Sequence, residues 1–237
     1  MFHKPTVLCL FAAFASMAGA TDIAFYDGTF ASGWTAVPAG YSGTSTTPTI
    51  TLTPQTTGGF PGNYLKESHT LTGTNYPYVL FWVFNPANTF TGMITSLGYS
   101  FDLKNAGSHD VGYFVALQQG TTVYVPYAPV IEADVFHATT WTTLPNPYFT
   151  TGLTAANFCA IPPNAGYNTP PNCSQNPDFS SPSMTTTFGY SVGNSFGPRG
   201  SVTYPNTGID NWCVVIYGTS GTPGPGAAPP GCGGVTP

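Results

Sequence analysis

Glu132 and Asp134 lie two residues apart in the run Glu132-Ala133-Asp134-Val135-Phe136-His137, and on an extended strand side chains two apart share one face. Two carboxylates on one cleft wall suit acid and nucleophile chemistry at a glycosidic bond, with roughly 5 Å between them for retention of configuration. His137, three residues after Asp134, points to the other face unless a bulge intervenes. Glu67 is the only other glutamate in the chain. Other catalytic patterns are missing: there is no Gly-x-Ser-x-Gly elbow, no His-Glu-x-x-His and no phosphate-binding glycine loop. His69, His109 and His137 are scattered, with nothing to mark a Ser/His/Asp triad.

Charge narrows the possible partners. The 237 residues include 4 Lys+Arg and 9 Asp+Glu, a charged fraction of 5%, where a soluble domain ordinarily carries about 25%. With a net charge of -5 the chain has no basic patch to displace counterions from phosphates, which excludes nucleic acid as a partner. An acidic polysaccharide held by charge is excluded on the same ground. Hydrophobic residues at 41% and aromatics at 15% can fill a core and argue against disorder. The 28 Gly and 24 Pro interrupt helices and argue against a bundle.

Lys4, an apolar run from Val7 to Met17 and then Ala18-Gly19-Ala20 give the three-part pattern of a cleaved signal peptide, so Met1 to Ala20 is expected to be removed on export. The run is too short to span a bilayer, and no later segment replaces it, so a secreted, extracellular or cell-surface location without a membrane span is expected. Four cysteines remain: Cys159, Cys173, Cys213 and Cys232. In an oxidising compartment their default use is disulfides, with three pairings open. Cys159 with Cys173 would close the loop AIPPNAGYNTPPN, and Cys213 with Cys232 would tie back the tail.

The elements that must position these residues read as strands. Leu97, Tyr99, Phe101 and Leu103 alternate with Gly98, Ser100 and Asp102, and Val111, Tyr113, Val115 and Leu117 repeat the pattern. Gln118-Gln119-Gly120 then turns the chain into Thr122 to Val125, a hairpin. Tyr78 to Phe84 is apolar on both faces and should be a central strand. Further strands are expected at Thr49 to Thr53, Ile131 to His137, Thr140 to Leu144, Thr185 to Val192 and Asp210 to Tyr217. The fold class is all-β: one two-sheet antiparallel sandwich of jelly-roll type over Thr21 to Tyr217. Gly218 to Pro237 is expected as a flexible Gly/Pro-rich tail.

Phe25-Tyr26-Asp27-Gly28-Thr29-Phe30-Ala31-Ser32-Gly33-Trp34 near one end and Gly208-Ile209-Asp210-Asn211-Trp212-Cys213-Val214-Val215-Ile216 near the other resemble the opening and closing strands of exported bacterial jelly-roll domains of the carbohydrate-binding-module type. The middle of the chain, with LGYSFDL and Leu153 to Phe158, is similar to concanavalin or laminin-G-like sandwiches. The resemblance implies that the termini lie side by side and that a structural calcium joins them, with Asp22, Asp27 and Asp210 as its carboxylates, since calcium takes six to eight oxygens. It also implies sugar recognition by stacking on an exposed aromatic ring with amides nearby. Trp141, Tyr64, Tyr76 and Trp34 are then the aromatic candidates and Asn63 and Asn75 the polar ones, while Trp82 and Trp212 fall in apolar strands and are expected to pack. The Glu132 segment resembles the Glu-x-Asp-x-x-Glu strand of jelly-roll β-glucanases, departing from it at His137.

Three readings follow. A non-catalytic glycan-binding protein is the leading one. A self-associating surface or matrix protein is the second, because charge is what keeps exposed sheet edges apart. A divergent glucanase-like hydrolase using Glu132 and Asp134 is the third.

Overall fold

The computed structural model describes residues 21–44, 46–60, 62–105, 111–126, 134–136, 140–144, 150–162, 171–195 and 200–228; within these, the side chains of 74–78, 134–136, 144, 150–151, 194–195 and 200–206 fall outside the description. The strands are β1 (Thr21–Asp27), β2 (Thr35–Thr44), β3 (Thr49–Gly59), β4 (Gly62–Met93), β5 (Ser96–Asn105), β6 (Val111–Gln119) and β7 (Thr122–Pro126), then β8 (Asp134–Phe136), β9 (Thr142–Leu144), β10 (Thr150–Leu153), β11 (Phe158–Ala160), β12 (Thr185–Ser195), β13 (Gly200–Pro223) and β14 (Ala227–Ala228). Among the described residues the only helical turn is the short 3-10 piece Ala155–Asn157. No helix there is long and apolar enough to cross a membrane.

The protein is an all-β sandwich. β4 is long enough to serve both layers. Its first part lies between β3, with Gln55 opposite Tyr64, and β13, with Ile209 opposite Leu65. Its second part lies between β2 and β12, with Val37 opposite Trp82 and Tyr190 opposite Val83. In the first layer β13 continues onto β5, which carries β9 and β10. In the second, β12 continues onto β6, β7 and β11, with β8 also on β6. β1 pairs with the far half of β13, Phe25 opposite Val214 and Asp27 opposite Trp212, so the two ends of the domain are neighbours.

The layers are held together by what the period-two pattern hides. Phe25 of β1 stacks on Phe188 of β12 with ring centroids 5.1 Å apart. Leu65, Phe81, Val83, Leu97, Phe101, Leu103, Val115, Leu117, Ile209 and Val214 share the same buried cluster. Burying each such side chain is worth about 1.5–3 kcal/mol. β4 is sealed on both faces from Val79 to Val83, as its apolar run predicts.

Two expectations are corrected here. β5 does not wet its polar face, since Ser100 and Asp102 are buried as well; Thr143 of the adjacent β9 and Asn211 of β13 hydrogen-bond the Asp102 carboxylate there. The tail is also partly built into the sheet: β13 runs on to Pro223 and β14 pairs with β1, Phe25 opposite Ala227. Glycine makes this possible. A Cβ at Gly221 would collide with the Thr91 carbonyl oxygen, so only a bare backbone lies this close to β4, and Gly224 and Gly226 donate N–H bonds to Thr89 and Ala87. Composition predicts little apolar burial for this segment, and it docks by backbone hydrogen bonds instead.

The disulfide between Cys159 and Cys173 is formed and closes the expected loop. Cys213 is also disulfide-bonded. Cys232 lies outside the described residues, as do Met1–Ala20, expected as a signal segment, and residues 229–237.

Candidate functional site

On the outer face of the first layer, β3, β4, β13, β5 and β9 lie side by side. Alternation sends Leu65, Ile209 and Leu103 into the core, leaving Tyr64, Gly208, Asp210, Asp102 and Lys104 on the opposite face. The Tyr64 ring lies against Gly208, where a Cβ would come within 2.8 Å of Cδ2. Only glycine on β13 leaves room for the ring to come this close. Trp141, just before β9, meets Tyr64 edge-on, centroids 5.2 Å apart and planes at 75°. Its Nε1 donates to the Gly58 carbonyl at 2.8 Å, and the Lys104 ammonium lies 5.9 Å from its ring centroid. Both rings are half-buried, so each is fixed by packing yet keeps part of its surface in solvent. Chain positions far apart in sequence thus form one rigid aromatic corner.

The β3–β4 turn forms one wall of this corner, fastened from below. Phe60 is 56% exposed. Its N–H donates to Asp210 Oδ2, and its carbonyl accepts from Asn211 Nδ2. The same Asn211 amide donates to Asp102 Oδ2 at 2.6 Å and accepts from the Tyr26 hydroxyl at 3.0 Å. Thr143 Oγ1 donates to the other oxygen of Asp102. Asn211 has φ of 48° beside the register shift between Asp210 and Cys213, a left-handed position that asparagine tolerates better than most residues. Burial pushes the Asp210 carboxyl up to about 6, opposed by the N–H groups of Phe60 and Asn211 and aided by Asp102 and Asp27. Burial, then the Asp210, Asp27 and Asp102 charges, raise the Tyr26 phenol.

The carboxylates that the resemblance assigns to calcium do not fit that ion. Asp27 Oδ1 accepts from Thr29 N, Thr29 Oγ1 and Phe30 N, and its Oδ2 accepts from Trp34 Nε1 at 2.7 Å. It caps its own turn. Asp210 is likewise filled by backbone N–H donors. Asp22 stands at the opposite end of β1 and accepts from Gly218 N at 3.2 Å. Among the described residues no group of three or more His, Cys, Asp or Glu is placed to hold a metal.

Trp34, an aromatic candidate by the resemblance, is half-buried at the margin of the core. Its ring packs on Phe30, Tyr190 and Trp212 at 5.3, 5.8 and 5.1 Å. Trp82 and Trp212 are fully buried, as their strands predict, with Trp82 stacked on Phe84 at 5.2 Å. Asn63 is half-buried beside the turn. Tyr76 and Asn75 lie in β4 with side chains outside the described residues. Glu132 is outside them too, and Asp134 is described only as backbone in β8, opposite Tyr113.

Sequence reading missed a buried polar group between the layers. Glu67 is fully buried; it accepts from Tyr113 at 2.6 Å and from Tyr190, and lies 3.5 Å from His69 Nε2. His69 Nε2 is 3.1 Å from Thr207 Oγ1. Burial, and then the Glu67 charge, hold both phenols well above their usual range. The one available signal was a glutamate at an inward position of a strand, with Leu65 two residues before it.

No protein-family model matches the chain, and no curated protein matches it. Among solved structures it is similar to the family 11 carbohydrate-binding module of the cellulosomal cellulase Lic26A-Cel5E of Clostridium thermocellum, at 14% identity over 80% of this chain and 91% of that one, TM-score 0.38. It is also similar to the family 11 module from Clostridium thermocellum in complex with a β-1,3-1,4-mixed-linked tetrasaccharide, at 13% identity over 84% and 98% of the two chains, TM-score 0.39.

Proposed function

We propose that this is an exported glycan-binding protein without catalytic activity, and that the Tyr64–Trp141 corner is where the sugar sits. The edge-on contact of these two half-buried rings carries the reading. A sugar ring offers one apolar face of C–H groups and an equatorial rim of hydroxyls, and it needs a flat apolar surface beside polar tips. Here Tyr64 and Trp141 supply the surface, Phe60 extends it, and Lys104 and Thr143 supply the tips. The rings are fixed before binding by Gly208 beneath Tyr64 and by the Gly58 carbonyl on the Trp141 indole, so little side-chain ordering remains to be lost. The sparse charge of the chain favours a neutral polysaccharide.

Affinity electrophoresis through gels containing neutral β-glucans, xylan or mannan tests this directly. The chain should be retarded by at least one of them, and Trp141→Ala should cut affinity at least tenfold, about 1.4 kcal/mol, with the thermal midpoint little changed. Unretarded migration in every gel, confirmed by a silent glycan array, would refute the assignment.

A further inference from the structure

We infer that the free edge of β3 is a self-association surface, pairing antiparallel with β3 of a second copy about a two-fold axis through Thr51. This goes beyond the glycan reading and stands or falls without it.

β3 pairs with β4 alone among the described residues. Its register is unbroken from Thr49 opposite Thr70 to Gln55 opposite Tyr64. β2, the other edge strand along β4, carries Pro38 and two register shifts, devices that blunt an edge. The β3 edge lacks the usual defence of charge: no Asp, Glu, Lys, Arg or His occurs anywhere between Asp27 and Lys66. Facing its own copy, such a strand meets no like charge.

The strand's two faces also fit a second copy. Ile50 and Leu52 pack against the main core but stay half-exposed, so the core ends unfinished at β3 and an added strand would complete it. Thr49, Thr51 and Thr53 are exposed on the other face. A proline in an edge strand turns its ring nitrogen to solvent. Ile50 and Leu52, in step with Pro54, therefore direct their N–H and C=O groups outward. A two-fold at Thr51 sets Ile50 against the partner's Leu52 in a hydrogen-bonded pair, and Leu52 against the partner's Ile50 in another. Thr51 then faces its own copy in a close, non-hydrogen-bonded pair, with Thr49 facing Thr53. Pro54 lies just outside the paired stretch and limits it, favouring a closed dimer over a fibre. The Tyr64–Trp141 corners of the two copies would share one continuous sheet face.

Sedimentation of the full chain over a concentration series tests the pairing. The wild type should shift from one chain mass to twice that mass as concentration rises. Thr51→Lys sets two ammonium groups opposite one another and should raise the dimer dissociation constant at least tenfold; Thr51→Glu should do the same. An equimolar mixture of the two variants should dimerise again, which a misfolded variant would not do. A wild type of single-chain mass up to its solubility limit, a Thr51→Lys chain that dimerises as well as wild type, or a mixture that stays monomeric would each overturn the inference. Polysaccharide retardation of monomeric Thr51→Lys should persist, so failure of dimerisation and failure of glycan binding read out separately.

Discussion

At the scale of single residues, Glu67 and Asp210 are both buried carboxyls with opposite consequences. Glu67 accepts from two phenols inside the sandwich, so Glu67→Ala strands two buried hydroxyls and should cost about 2–4 kcal/mol by urea denaturation. Glu67→Gln retains one acceptor oxygen and should cost less. Neither should alter polysaccharide retardation, because Glu67 lies on the core side of β4. Asp210 holds its proton more tightly folded than unfolded, with a carboxyl raised from 3.8 to about 6. Its contribution is therefore fully present below pH 4 and is lost as pH rises toward 6, by up to about 3 kcal/mol before solvent screening reduces it. The stability gap between wild type and Asp210→Asn should shift against the wild type over that interval; a gap independent of pH would contradict the raised value. Trp141 and Tyr64 were legible as candidates from their types alone. Their edge-on contact was not, because it depends on Gly208 and Gly58, which reach them from other strands.

At the scale of elements, strand positions were legible because core burial imposes period two on β5, β6, β12 and the far half of β13. The full length of β4 was not, since its first part carries Lys66, Glu67 and His69 and does not look like a buried strand. The order of strands in the sheet was equally hidden, because pairing partners come from distant parts of the chain. The loop between β11 and β12 depends on a covalent tie. Reducing the Cys159–Cys173 bond, or replacing both residues with serine, should lower stability by about 3 kcal/mol in the chain-entropy picture. A much smaller loss in matched denaturation curves would mean that the Ala160–Asn172 bridge and its backbone bonds hold the loop without it.

At the scale of the whole molecule, scarce charge governs how the protein meets its surroundings. A neutral polysaccharide bound through ring stacking and hydrogen bonds should be held almost equally well in low and high salt, since screening acts on charge pairs. Retardation constants should change less than about twofold between dilute and near-molar sodium chloride; a steep fall would instead assign binding to Lys104 and the carboxylates. The same shortage leaves β3 undefended, which links the composition to the assembly inferred for it.

Sequence by itself determined that the chain is built from strands, because local periodicity encodes them, while the meeting of its ends was an expectation of the resemblance that the pairing of β1 with β13 bears out. Tertiary structure alone decided that Tyr64 and Trp141 meet edge-on at a half-buried corner and that Asp27 and Asp210 accept from backbone N–H groups. The reason is physical: exposure and coordination depend on what arrives from elsewhere in the chain, and a local pattern does not encode the identity of its distant neighbour.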